Sequence, residues 1–316
     1  MNAQKKAKSM KKNDKFPSTI YALCALDDGR LAIGGSGSLI IYNMKKYKID
    51  IYINASAKNL VKLKNNKLFY YTYYTESEGP WVDEIVDDYL IELSNNDYID
   101  KTDILPKYSS YNIFYEYTDS IIFAGRAYVE QNNCIRERIE KLLKIDDKYK
   151  IVTKMEPKNL IKFILLKNNT FAILCPGLIT FHDNNNFKCI QKEWFDKQSK
   201  DISLLNETFM FISTIKEVML YDYINYKKIK KITCLYPICK IYINENNIFI
   251  GECEKRTYKK DEIIKNRIVE YEFDENNTNF IKVYEYFKPQ NVLINFTQVK
   301  DGRIITCSEE NIKIWS

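Results

Sequence analysis

The same short pattern stands near both ends of the chain. Asp28-Gly29-Arg30-Leu31-Ala32-Ile33 is followed by Leu39-Ile40-Ile41-Tyr42, and Asp301-Gly302-Arg303-Ile304-Ile305-Thr306 by Ile312-Lys313-Ile314-Trp315. Each copy runs turn, strand, turn, strand, and an aromatic closes it 13 residues after the glycine. The unit is a β-hairpin that recurs. A recurring unit cannot bury its apolar faces alone, so its copies must stack on one another.

The same order of strand, polar turn and strand can be followed between the two clear copies, and it gives seven units. Their second strands begin near Leu31, Leu68, Ile121, Phe171, Phe209, Ile248 and Ile304, at intervals of 37, 53, 50, 38, 39 and 56 residues. Three intervals match the ~40-residue period of a four-stranded propeller blade, and three are longer by roughly 13 to 18. Apolar first strands such as Leu160 to Leu166 lead into turns such as Asn168-Asn169 and Asn206-Glu207, residue types that accept tight-turn dihedrals. Third strands such as Val218 to Tyr221 are apolar on both faces, as strands sandwiched between sheets are. Outer strands such as Ile49 to Ile53 are more polar. Between Cys134 and Ile145 the spacing of Ile135, Ile139, Leu142 and Leu143 also nearly fits a helix, but the repeat demands a third strand ending at Ile145.

Composition agrees. The hydrophobic share is 45% and the aromatic share 14%, with 25 Tyr and 16 Phe, a balance that favours strands. The net charge of +6 is concentrated in residues 1–15, where six lysines stand against Asp14. The body is left near +1, which argues against a nucleic-acid partner, and residues 1–17 read as a disordered basic tail. Eight cysteines without CxxC spacing, and a single histidine, exclude a disulfide framework and a zinc site. No run of about 18 apolar residues and no secretory leader are present, and a cytoplasmic location is expected.

With these units on the page, the chain resembles the WD40-repeat β-propellers over residues 18–316. Trp315 stands at the family's Trp position, and Tyr42-Asn43 and Tyr221-Asp222 replace the Trp-Asp dipeptide. No Gly-His pair precedes a unit, so the resemblance implies that the family's His, Asp, Ser/Thr and Trp network is largely missing. The implied fold is an all-β, seven-bladed propeller. The C-terminal end supplies three strands of the last blade. Its fourth either comes briefly from Asn13 to Phe16 or is absent; the three-stranded blade is the preferred reading.

The extra residues of units two, three and six all fall between second and third strands, which the resemblance places on one face. A hairpin lengthened by about 14 residues rises roughly 20 Å at ~3.3 Å per residue on each limb. The unit-two insert carries Glu76, Glu78, Asp83, Glu84, Asp87 and Asp88 with no Lys or Arg, around Trp81. The unit-six insert carries six Lys and Arg from Lys255 to Arg267 against four acids, with Tyr258. Aromatics and arginines dominate interface energetics. The expected contact residues are therefore Trp81, Arg126, Tyr128, Arg136, Arg256 and Tyr258, docking another protein or peptide, with the chain a monomeric subunit of a larger complex.

No catalytic, metal or cofactor site is expected. His182 falls at a strand end beside Asp183 and reads as a turn contact. Paired carboxylates such as Asp87-Asp88 are adjacent on strands and point to opposite faces. Gly34-Gly35-Ser36-Gly37 is a turn with no helix behind it, unlike a phosphate loop. Inward-facing positions of the first strands read as mostly apolar or small, which argues against a propeller hydrolase with convergent carboxylates at the central channel. The paired-arginine motif of phosphoinositide-binding propellers and the Trp-Asp-x-Arg of ligase-adaptor propellers have no counterpart. The alternative function is a peripheral binder of anionic membranes through the basic tail and the unit-six lysines.

Overall fold

The computed structural model describes all residues except 1–6, 11–15, 79–80, 95, 107–112, 127–136, 196–198, 245–246, 259–260, 275, 277, 288–292, 294, 309–310 and 316. Seven antiparallel four-stranded sheets follow one another along the chain. Their second strands start at Arg30, Lys67, Ile121, Thr170, Phe209, Asn247 and Ile304, within one residue of the sequence reading. The inner strands of neighbouring blades touch around the ring, for instance Ile20–Ala25 with both Asn59–Lys62 and Asn295–Gln298. The ambiguous segment before Ile145 is a strand from Arg138. Among the described residues the helix content is one 3-10 turn, Thr102–Ile104.

The apolar core is divided into seven clusters, each drawn from two adjacent blades. Second strands are covered on both faces: every residue of Arg30–Gly35 and of Phe209–Ser213 is buried. The outer strand Lys227–Thr233 holds no buried residue. The mixed sequence patterning thus separates apolar second strands, sandwiched between blades, from polar strands at the circumference.

The repeated Asp-Gly-Arg has a repeated task. Glycine takes φ of 84° at Gly29 and 86° at Gly302, a left-handed conformation that side chains resist. That turn lets Asp28 accept from the Arg30 amide at 2.9 Å and from its Nε at 2.7 Å. Arg30 Nη1 then donates to the Ser94 carbonyl of the next blade at 2.7 Å. In the last blade Arg303, clamped by Asp301, donates to the Tyr47 hydroxyl at 3.2 Å and the Met44 carbonyl at 3.4 Å of the first blade. The two copies fasten consecutive blades at the same corner. At the Asp position of the missing Trp-Asp dipeptide, Asn43 and Asp222 accept from the two amides that open the following turn.

Closure departs from the expectation. The C-terminal end supplies three strands of the last blade, Asn295–Gln298, Ile304–Cys307 and Ile312–Trp315, as read. Its outer edge is not left open, and Asn13 to Lys15 lie outside the described residues. Ala7–Ser9 fills it, with Ala7 opposite Trp315 and Ser9 opposite Lys313. The Met10 amide donates to the Ile312 carbonyl at 3.1 Å, and Met10, Phe16 and Pro17 are buried. The solvated basic arm expected over residues 1–17 therefore contains a clasp. Unpaired edge groups of Ile312–Trp315 recruit the segment, whose own sequence has no strand signal.

Candidate functional site

In a ring of identically ordered sheets, every connection between second and third strands leaves from one face. In blades 1, 4 and 5 these are tight turns of two or three residues. In blade 2 the strands Lys67–Glu78 and Trp81–Leu93 stay paired to Glu78 opposite Trp81. In blade 6, Asn247–Tyr258 and Asp261–Asp274 stay paired to Tyr258 opposite Asp261. The inner strand of blade 2 ends its pairing at Tyr71 and that of blade 6 at Glu252. Both hairpins therefore continue as two-stranded ribbons for about 20 Å beyond the inner strands at ~3.3 Å per residue.

Trp81 stands at the tip of the blade-2 hairpin, Tyr258 at the tip of the blade-6 hairpin, and Arg256 two residues down, opposite Ile263. Arg126 ends the second strand of blade 3, opposite Arg138. Tyr128 and Arg136 lie outside the described residues. The described members of the set thus stand on three different blades, the second, third and sixth.

Two of the charges that looked like loop residues are structural. Glu252 and Arg267 oppose each other at the root of the blade-6 hairpin and form a buried ion pair at 2.8 Å. Arg267 also reaches Glu285 of the outer strand at 3.1 Å. Glu252 accepts from the Tyr236 amide at 2.8 Å, binding the loop that enters the blade. Burial disfavours the Arg267 charge, but its two carboxylate partners outweigh that and raise its affinity for the proton. Sequence could have found the pair by placing the tip at Lys259-Lys260 and counting back equally along both limbs.

Glycines fix the roots of two hairpins. A Cβ at Gly251 would stand 2.5 Å from Cε1 of Phe296, and one at Gly125 would stand 2.5 Å from Cε1 of Phe163. In each case the second residue of the next blade's inner strand occupies that space.

The channel differs from the sequence reading of mostly apolar or small first strands. Lys162 and Asp201, on adjacent inner strands, pair at 2.7 Å. Lys240 donates to Asn295 Oδ1 on the next strand. Register puts all four at the hairpin end of the inner strands: Lys162 opposite Leu174, Asp201 opposite Ser213, Lys240 opposite Gly251 and Asn295 opposite Cys307. Spacing along the sequence, 39 residues for each step from Lys162 to Asp201 to Lys240, was the available signal.

His182 is buried near the end of the strand Leu178–Asp183, with Nδ1 3.0 Å from the carbonyl of Phe187 beyond the following turn and Nε2 2.9 Å from the Thr180 hydroxyl. Desolvation pushes its pKa down, so the ring stays neutral at pH 7. Burial pushes the Cys175 thiol up to about 11 and Cys234 to about 12, so both stay protonated and unreactive. One leg of the propeller network that the sequence seemed to lack survives: Trp315 Nε1 donates to Thr306 Oγ1 at 3.1 Å. Among the described residues no group of three or more His, Cys, Asp or Glu could hold a metal, and no helix is long and apolar enough to cross a membrane.

No protein-family model and no curated protein matches the sequence. Solved structures match the fold along its length. A chain of a mitotic checkpoint complex superposes with TM-score 0.66 at 6% identity, covering 99% of this chain and 92% of that one. The WD40 β-propeller domain of Doa1 gives 0.64 at 10%, covering 100% and 97%. U3-55K gives 0.68 at 7%, covering 98% of both. At such identities the likeness rests on architecture, and that architecture is the seven-bladed, WD40-like β-propeller.

Proposed function

We propose that this chain is a non-catalytic scaffold that docks another protein through the face bearing the long hairpins. The observation that carries the reading is the pairing of the blade-2 and blade-6 strands to their tips. A hairpin ordered by its own ladder presents side chains at lower entropic cost than a slack loop. One ribbon is wholly acidic in its charges and the other mainly basic, which suits a partner carrying both signs. Trp81, Arg126, Tyr128, Arg136, Arg256 and Tyr258 are the proposed contacts. Matched propellers include a chain of a multiprotein checkpoint complex, and a protein partner is the reading that fits this shape. The free cysteines suit a reducing cytoplasm.

Affinity capture with the intact chain and with a variant shortened in the blade-2 and blade-6 hairpins tests the proposal. A partner that binds the intact chain directly, and is lost from the variant, supports it. Equal recovery of the same proteins by both overturns it. Salt-sensitive sedimentation with anionic liposomes, abolished by removing residues 1–15, would favour membrane attachment instead.

A further inference from the structure

The mouth of the central channel carries a cluster that scaffolding alone does not require. Three consecutive inner strands contribute Lys162, Asp201 and Lys240. Two ammonium groups and one carboxylate therefore stand on neighbouring inner strands. Asp201 is committed to Lys162 at 2.7 Å, and both side chains remain about 30% exposed. The contact partners of Lys240 among the described residues are neutral: the Asn295 carboxamide and the Phe296 ring, whose centroid lies 5.8 Å from the ammonium. Lys162 repels the Lys240 charge, and Asp201 and the thiols of Cys24 and Cys307 are the remaining ionisable groups that it senses. Burial keeps the Cys24 thiol protonated, so it supplies no counter-charge.

A cation drawn into a partly desolvated site is costly unless an anion accompanies it. Lys240 loses more to desolvation than its neighbours return, and its pKa is lowered. The site is also built. Gly251, opposite Lys240, is locked against Phe296, and Asn295 precedes that phenylalanine in the chain. The Lys240 amine is thus held between two strands whose separation is fixed by packing. The geometry points to an oxyanion site at the hairpin end of the channel, in which Lys240 and Lys162 take a carboxylate or phosphate group. The opening lies on the same face as the hairpins, so an acidic side chain of a docked protein and a free phosphate compound are both sources of the ligand.

Calorimetric titration of the full chain at low salt, with inorganic pyrophosphate and separately with a tetraglutamate peptide, tests this. Binding of at least one probe is expected, weakened tenfold or more by Lys240→Met and unaffected by Lys227→Met on the outer strand. Asp201→Asn removes the competing carboxylate and is expected to tighten binding severalfold. Pyrophosphate binding alone identifies a free phosphate compound as the source, and peptide binding identifies a partner's carboxylate. Absence of binding by both probes, unchanged affinity in a folded Lys240→Met variant, or weaker binding in Asp201→Asn overturns the inference. A variant shortened in the hairpins is expected to keep the affinity, which separates this site from the docking proposal.

Discussion

Arg267 and Glu252 face each other across the root of the blade-6 hairpin, 2.8 Å apart and withdrawn from solvent. Removing one member of a buried pair strands the other, at about 3–5 kcal/mol. Glu252→Gln leaves Arg267 with Glu285, so a loss at the lower end, about 3 kcal/mol, is expected. Arg267→Met leaves Glu252 without its cation and should cost more. Urea denaturation of the two variants checks the order, and equal, near-zero effects would show that the pair is idle.

Glu285 gives the pH dependence a sign. Burial alone would raise its pKa, but hydrogen bonds from Lys282 and Arg267, and their charges, win and hold it below the ordinary 4.5. A carboxyl depressed in the folded state adds stability that is complete above its unfolded value and disappears as pH falls through the folded one. Acid unfolding of the wild type should therefore steepen below pH 4.5. In Glu285→Gln that part of the decline should be missing, which thermal melts at several pH values can measure.

Gly251→Ala would place a methyl group where Cε1 of Phe296 already lies, 2.5 Å away. Overpacking of this kind costs about 1–3 kcal/mol. Phe296→Leu should cost stability alone yet relieve the defect in the double variant. A double-mutant cycle that shows additivity would contradict the contact.

Met10→Ala removes a buried side chain that covers the junction of the first and last blades. The expected loss is about 2 kcal/mol or more. Deleting residues 1–10 should cost more still, because the ladder from Ala7 to Ser9 goes as well. Amide exchange at Ile314, which faces Lys8 of the clasp, should accelerate in the deletion and stay slow in Met10→Ala.

Strand order and count were legible because two periods coincide in this sequence: alternation within strands and polar turns between them. Asp-Gly-Arg was legible as a repeat but not as a fastening, since Ser94, Met44 and Tyr47 lie in neighbouring blades. The clasp at Ala7–Ser9 was missed because the driving force resides in the partner: the exposed ladder of Ile312–Trp315 accepts a segment with no propensity of its own. Lys240 and Asp201 looked ordinary for a different reason. Their meaning comes from meeting around an axis, which no linear pattern displays.

The seven apolar clusters each belong to a pair of sheets and never to one. A blade excised from this chain would carry two half-cores, both wet, and its removal would bare two more on the sheets left behind. Loss or gain of a single module is thus penalised at two seams at once. Change in such a molecule is channelled into the lengths of its hairpins, where residues can be added without disturbing any seam.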